Sequence, residues 1–322
     1  MMNKKLTVSH APFWHDGDSL FQMNINIMIA ALPAIIFGIL QFGGRAVGVI
    51  ALSVASAMLW ELIANLVSKK KPTIADMDSA LIGLIFAMML PATSPWWMII
   101  IGTLIAVIIG KMIFGGTGAN PFNPALVGMS FLMLSWPVLF DFDAAYVSYD
   151  VDFTALAPLA ALKFMGASEV GYLFTSSDLF MGNQFGGIGS TFGLGIVLGG
   201  IYLVARGYVR WEIPVSFIAG ILICAWAFHT ADADKYAGPL FHLLSGYTLL
   251  GAFFLAPENS SSPVNTIPML LYGFFAAAMI ILIRNVGVYN DGTVLAILLF
   301  NLASPLIDTI RPKAMGKRGI HA

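Results

Sequence analysis

Gly115-Gly116-Thr117-Gly118-Ala119-Asn120-Pro121-Phe122-Asn123-Pro124-Ala125-Leu126-Val127-Gly128 lies between two apolar runs, Trp96 to Phe114 and Leu126 to Phe140. Glycine, asparagine and proline interrupt regular backbone, and in hydrocarbon an unpaired N–H or C=O costs several kcal/mol. The stretch is therefore either an ordinary turn between two spans or irregular backbone packed inside protein, where it lines a polar cavity. On the second reading it is a candidate site, with Asn120 and Asn123 as its polar side chains.

The rest of the chain decides the class. Of 322 residues, 58% are hydrophobic and 10% charged, and the mean hydropathy is +0.85, whereas soluble domains carry about a quarter charged residues. This is an all-α integral membrane protein. Apolar segments run from about Ile25 to Gln41, Ala46 to Val67, Ala80 to Leu90, Trp96 to Phe114, Leu126 to Phe140, Phe192 to Ala205, Ile213 to Phe228, Leu243 to Leu255, Met269 to Ile283 and Val294 to Ile307. Several fall short of the ~20 residues of a full span, so tilted, broken or re-entrant helices are expected. The segments lack the alternation of an outer-membrane barrel.

The basic residues orient the spans. With about ten helices and a cytoplasmic N-terminus, Lys4, Lys5, Lys69, Lys70, Lys71, Lys111, Arg206, Arg210, Arg311, Lys313, Lys317 and Arg318 fall inside, and Arg45, Lys163, Lys235 and Arg284 outside. Positive charge concentrates on the cytoplasmic face, so both termini are expected there, and the net charge of −1 says nothing about partners. No cleavable signal peptide is apparent, because Lys4 and Lys5 lead into the polar stretch His10 to Ser19. No nucleic-acid partner is expected.

Cofactor ligands are scarce. Cys224 is the only cysteine, which excludes an iron–sulfur cluster held by this chain. His10, His15 and His321 are terminal and His229 and His242 flank a loop, so no facing pair is available for a membrane haem. No metal site is expected.

An internal repeat shapes the architecture. Leu81-Ile82-Gly83-Leu84-Ile85-Phe86 resembles Leu249-Leu250-Gly251-Ala252-Phe253-Phe254, and each glycine is followed at the same distance by Ser-Pro, Ser94-Pro95 and Ser262-Pro263, with Pro91 and Pro257 between. Each copy continues into an apolar run, a Gly/Asn loop (Gly115 to Asn123; Gly287, Asn290, Gly292) and a further apolar run. Equivalent units separated by five spans are inverted, an arrangement that brings broken helices together near the midplane. The expectation is two inverted five-helix halves, roughly 20–140 and 190–310, in one membrane domain with cytoplasmic tails. Gly115–Asn123 and Asn290–Gly292 are expected to frame one polar site from opposite sides. Between the halves lies an external loop, 141–190, with Asp141, Asp143, Asp150, Asp152, Glu169 and Asp178 against the single base Lys163. Its apolar residues, among them Phe153, Leu156, Leu159 and Leu162, argue that it packs on the protein.

Six stretches then carry a resemblance along the whole chain: Asp78-Ser79-Ala80; Leu90-Pro91-Ala92-Thr93-Ser94-Pro95-Trp96-Trp97; Gly115 to Gly128; Gly187-Ile188-Gly189-Ser190-Thr191; Gly238-Pro239-Leu240-Phe241-His242-Leu243-Leu244-Ser245-Gly246; and Ser304-Pro305-Leu306-Ile307-Asp308-Thr309. In order and spacing they resemble the membrane subunits of the NqrB/RnfD family, which serve the Rnf ion-pumping electron transport complex and the sodium-translocating NADH:quinone reductase. The resemblance is to the Rnf branch. It implies ten helices in inverted halves in a bacterial inner membrane. It also implies a translocase subunit that works with flavoprotein and iron–sulfur partners and couples flavin-mediated electron transfer to Na+ or H+ movement.

The same resemblance implies FMN, with riboflavin as a further flavin, the FMN phosphoester-linked to the Thr of a Ser/Thr-Gly-Ala-Thr motif before Pro-Leu. Here Thr154-Ala155-Leu156-Ala157-Pro158-Leu159 occupies that place, and Ala157 stands where the acceptor belongs. Alanine has no hydroxyl. Thr154 serves as an alternative acceptor only in a shifted register, which leaves a flavin bound without a link or a subunit that relies on its partners' cofactors. The amides of Asn24, Asn26, Asn120, Asn123, Asn290 and Asn301 suit a hard cation or an isoalloxazine ring, or simply pin helices. Glu61 either lines a pathway or snorkels toward the interface. From another class, a solute channel or secondary transporter with inverted repeats fits the same architecture.

Overall fold

The computed structural model describes residues 19–310 apart from 71, 147, 148, 150–152, 154 and 155; Thr154 thus lies outside the described residues. Every regular element among those described is helical. Leu20–Phe42 (α1), Gly44–Val67 (α2), Trp96–Phe114, Glu212–Ala231 (α11) and Thr266–Val286 (α14) are long and apolar enough to cross a membrane, and the chain is a multi-pass membrane protein. The Trp96–Phe114 span is composite, α4 (Trp96–Leu104) running into a π turn over Ile105–Ile109 and a 3₁₀ turn over Met112–Phe114.

Local chemistry sets the boundaries. Ser19 opens α1 with a capping box, its hydroxyl taking the Gln22 N–H while the Gln22 side chain takes the Ser19 N–H. Gly43, at φ 68°, closes α1 and lets α2 begin at the next residue. Among the apolar elements too short to span, two stop at prolines. One is α3 (Asp78–Met89, 12 residues), about 18 Å at 1.5 Å per residue against a hydrocarbon core of about 30 Å. The other is α13 (Thr248–Leu250), which continues as a π turn over Gly251–Leu255. Each ends where the sequence supplies prolines, Pro91 and Pro95 after α3, Pro257 and Pro263 after α13.

The remaining helices are α5 (Pro124–Ser135), α6 (Phe142–Ala145), α7 (Pro158–Met165), α8 (Ala167–Leu173), α9 (Ser176–Met181), α10 (Gly193–Ala205), α12 (Pro239–Leu244) and α15 (Thr293–Ile307). α2 packs on α3 and α4, α11 on α14, α1 on α10 and α5 on α15. Small residues allow the closest of these contacts: a Cβ on Gly199 of α10 would stand 2.0 Å from the Ala30 carbonyl oxygen of α1. The segment from α6 to α9 is folded onto the body as the sequence implies, with Ala161, Leu162, Val170, Phe174 and Leu179 forming a small core with Ala237.

Candidate functional site

The two half-length helices run in opposite directions, each beginning near where the other ends. The Tyr247 hydroxyl, just before α13, donates to the Met89 carbonyl at the end of α3 (2.8 Å), while Asp78 at the start of α3 shares a cavity with Phe253 and Phe254 at the end of α13. Their broken ends would carry unpaired backbone into an apolar interior, and the protein supplies the partners. Ile188 N–H donates to the Leu90 carbonyl (3.0 Å) and Gly189 N–H to that of Met88 (2.9 Å). The Asn123 side chain donates to the Leu255 carbonyl (3.0 Å). Irregular backbone is tolerated at depth on those terms.

Two cavities open at opposite ends of α5 and of α13. The first, about 310 Å³, is lined by Asn24, Asp78, Thr117, Asn120, Asn123, Tyr208 and Glu258 among apolar side chains of α1 and α3. The 115–123 segment borders this cavity through Thr117, Gly118, Asn120 and Asn123. Its turns rest on Gly115, Gly116 and Gly118, all at positive φ (127°, 110° and 85°), a region closed to most side chains. Asn120 donates to the Phe122 carbonyl (3.0 Å) and to Glu258 Oε1 (3.4 Å). Asn123 caps α5 by accepting the Ala125 N–H (3.0 Å), so its amide is committed to structure. Asn24 donates to the Asp76 carbonyl (2.7 Å), and the Asn301 amide lies 2.6 Å from the Tyr272 hydroxyl; both pin helices.

Beneath this cavity is a buried ion cluster. Lys111 Nζ, 1% exposed, sits 2.8 Å from Glu61 Oε1 and 2.8 Å from Asp78 Oδ2, and 3.3 Å from the Ser79 hydroxyl. Thr73 donates to Glu61 (2.7 Å) and Thr117 to Asp78 (3.2 Å). Buried charge persists only when paired and hydrogen-bonded, and this cluster meets that condition. The snorkelling alternative for Glu61 gives way to it, and Lys111, counted among the inner-side bases, is buried in an ion cluster.

The second cavity, about 540 Å³, is walled by Phe140, Phe142, Phe164, Phe185, Tyr247 and Tyr289, with Asp141, Asp143, Ala157, Ser190, Asn290 and Asp291 among its polar and small residues. Asn290 and Asn120 therefore border different cavities, and the expectation of one site framed by both loops does not hold. Burial pushes the Asp143 carboxyl above its ordinary range, with Asp141 adding to the effect, although the Ala157 N–H donates to its Oδ1. Lys163 reaches the carbonyls of Gly287 (2.9 Å) and Tyr289 (2.6 Å).

A phosphoester-linked flavin does not fit residue 157 in this arrangement. The side chain is a methyl group, and the backbone N–H that a phosphate would meet is already taken by a carboxylate with a second beside it. Next to the same cavity Arg284, 3% exposed, joins Asp291 (2.9 Å), the His242 carbonyl (2.7 Å) and the Thr248 hydroxyl (2.8 Å). The sequence pattern puts Arg284 outside and His242 beside a loop; both are buried. The signal for burial is that Lys111 lies within a long apolar run and Arg284 directly follows one, where an unpaired charge would be costly.

Known proteins share this chain's sequence over nearly its full length. Residues 7–316 match the model of the NQR2, RnfD, RnfE family. The chain is 35% identical over 319 residues to the D subunit of the proton-translocating ferredoxin:NAD(+) oxidoreductase complex of Clostridium ljungdahlii, covering 97% of this chain and 96% of the relative. It is 35% identical over 310 residues to the D subunit of the Na(+)-translocating ferredoxin:NAD(+) oxidoreductase complex of Acetobacterium woodii, covering 96% and 94%. The D subunit of an ion-translocating oxidoreductase complex from Pectobacterium carotovorum is 30% identical over 346 residues, covering 97% and 99%. This chain belongs to the NQR2, RnfD, RnfE family.

Proposed function

We infer that this chain is the membrane subunit of an ion-translocating electron transport complex and works only with its partner subunits. The observation that carries the reading is the family match along nearly the whole chain. The architecture suits that role, because two antiparallel half-length helices lie between two cavities.

The finer organisation is two inverted five-helix halves, α1–α5 and α10, α11, α13, α14 and α15, with the short α12 between the second and third of these and with α3 and α13 as the equivalent broken helices. Three pairings support it: α1 meets α10, α5 meets α15, and α2 on α4 has its counterpart in α11 on α14. The basic residues support a bacterial cytoplasmic-membrane location with both termini inside, which places the Asn120 cavity inward and the Ala157 cavity outward. The partners are flavoprotein and iron–sulfur subunits, and the ion is Na+ or H+. A flavin, FMN or riboflavin, would carry electrons one or two at a time; any flavin at the Ala157 cavity is held without a bond to residue 157.

Affinity purification in mild detergent tests the assignment. Co-purification of flavin- and iron–sulfur-containing subunits is expected, and a chain that purifies alone contradicts it. Under ultraviolet light its denatured band should be dark, and Ala157→Thr with Leu156→Ala and Ala155→Gly should make it fluoresce where the flavin transferase is present. A fluorescent wild-type band that Thr154→Ala abolishes would move the link to Thr154 and refute the unlinked reading.

A further inference from the structure

The two buried cations occupy matched places. Lys111 follows the π turn that ends α4 and reaches the start of α3, while Arg284 lies in the last turn of α14 and reaches the start of α13. Each ties the polar start of a half-length helix to the fourth helix of its own half. Each also sits beside a different cavity, since Asp78 lines one and Asp291 the other.

The clamps differ in charge balance. Arg284 meets one carboxylate, Asp291, whose oxygens also accept the Thr293 N–H (3.0 Å), the Thr293 hydroxyl (2.7 Å) and the Tyr247 N–H (2.8 Å). That set is neutral and saturated. Lys111 divides one charge between two carboxylates, which leaves a surplus of negative charge in a buried place. Of the three side chains only Asp78 reaches the cavity, at 21% exposed against 1% for Lys111 and 2% for Glu61. The junction it begins is strained: Met77, immediately before α3, has a φ of 56°, a left-handed conformation that costs a non-glycine residue energy and persists when its surroundings enforce it. The charged groups facing Asp78 are Lys111 from the segment after the π turn of α4, Glu61 from α2 and, across the cavity, Glu258 from the segment after α13.

We propose that Lys111 is a positioning residue that couples ion movement to the broken helices. Its ammonium holds the start of α3 by bridging Glu61 and Asp78, and a positive charge arriving at Asp78 through the Asn120 cavity competes for that carboxylate and frees the helix start. The Arg284 clamp stays closed throughout. The inference rests on the ion-translocating reading and names which end of the half-helix pair responds to the ion.

The test uses the whole complex in proteoliposomes, with electron transfer and ion uptake measured together as Na+ is varied at fixed pH and pH at fixed Na+. A wild-type complex that shows neither activity defeats the proposed function and not this step. Lys111→Met should lower ions moved per electron by about tenfold, within the range of ordinary coupling free energies, while electron transfer falls much less. Lys111→Arg should restore much of the ratio but raise the Na+ or proton concentration needed for half-maximal uptake, because a guanidinium grips carboxylates more firmly than an ammonium. Dependence on Na+ or on pH identifies the charge that competes. An unchanged ratio in Lys111→Met overturns the proposal, as does an unchanged half-saturation in Lys111→Arg. Equal losses of both activities in Lys111→Met, unrescued by Lys111→Arg, would make Lys111 merely structural and overturn it too.

Discussion

Asn123 joins two pieces of backbone that an apolar interior would otherwise leave unpaired, the first turn of α5 and the Leu255 carbonyl. Asn123→Leu should cost about 2–4 kcal/mol, combining a lost N-cap of about 1 kcal/mol with a buried carbonyl left unpaired at about 1–3 kcal/mol; thermal unfolding in detergent measures it. Asn120, which faces the cavity and Glu258, should behave differently, Asn120→Leu lowering ion-coupled activity more than the midpoint temperature. The sequence singles out both amides by their place in a Gly/Pro cluster but cannot separate cap from cavity wall, because that depends on Leu255 and Glu258, which are far along the chain. At the Ala157 cavity, burial raises the Asp143 carboxyl, so the folded protein holds that proton more tightly than the unfolded chain. Stability from this group is full below about pH 4 and is lost as pH rises through the raised value. Asp143→Asn should flatten the fall in midpoint temperature over that interval; a wild-type curve that rises there, or a variant curve of the same slope, counts against it.

The half-length helices show how an element can be visible in sequence while its support is hidden. Pro91, Pro95, Pro257 and Pro263 mark where α3 and α13 stop, and the Leu-Gly repeats around Gly83 and Gly251 mark them as related. What satisfies the broken end of α3 is a Gly-rich segment from another part of the chain, and no local pattern announces that pairing. Gly187 shows how close the approach is: a Cβ there would stand 2.6 Å from the Met88 carbonyl oxygen and 2.7 Å from that of Met89. Gly187→Ala should force the two backbones apart and expose the carbonyls that Ile188 and Gly189 now satisfy. The expected result is a sharp loss of thermal stability, or failure to accumulate in the membrane, with Gly171→Ala, which meets nothing within 4 Å, as the tolerated control. Equal behaviour of the two variants would contradict the closing role of this segment.

At the scale of the molecule, hydropathy makes the membrane class and most helix positions legible, because each apolar run is long relative to its polar boundaries. The charge count is less faithful: Lys111 and Arg284 enter it as surface charges although both are buried in ion pairs. Removing them from the tally leaves the positive-inside bias standing, so a reporter inserted between α8 and α9 should behave as exported and one at the C-terminus as cytoplasmic. Cytoplasmic activity at both positions would contradict the ten-helix topology. The central claim, that this subunit is part of a machine joining electron transfer to ion movement, is tested most directly by ion uptake into proteoliposomes during electron transfer through the complex. With the complete complex, uptake should start with electron flow and vanish when this subunit is omitted; uptake that persists without it, or electron flow in its presence that moves no ion, would contradict the account.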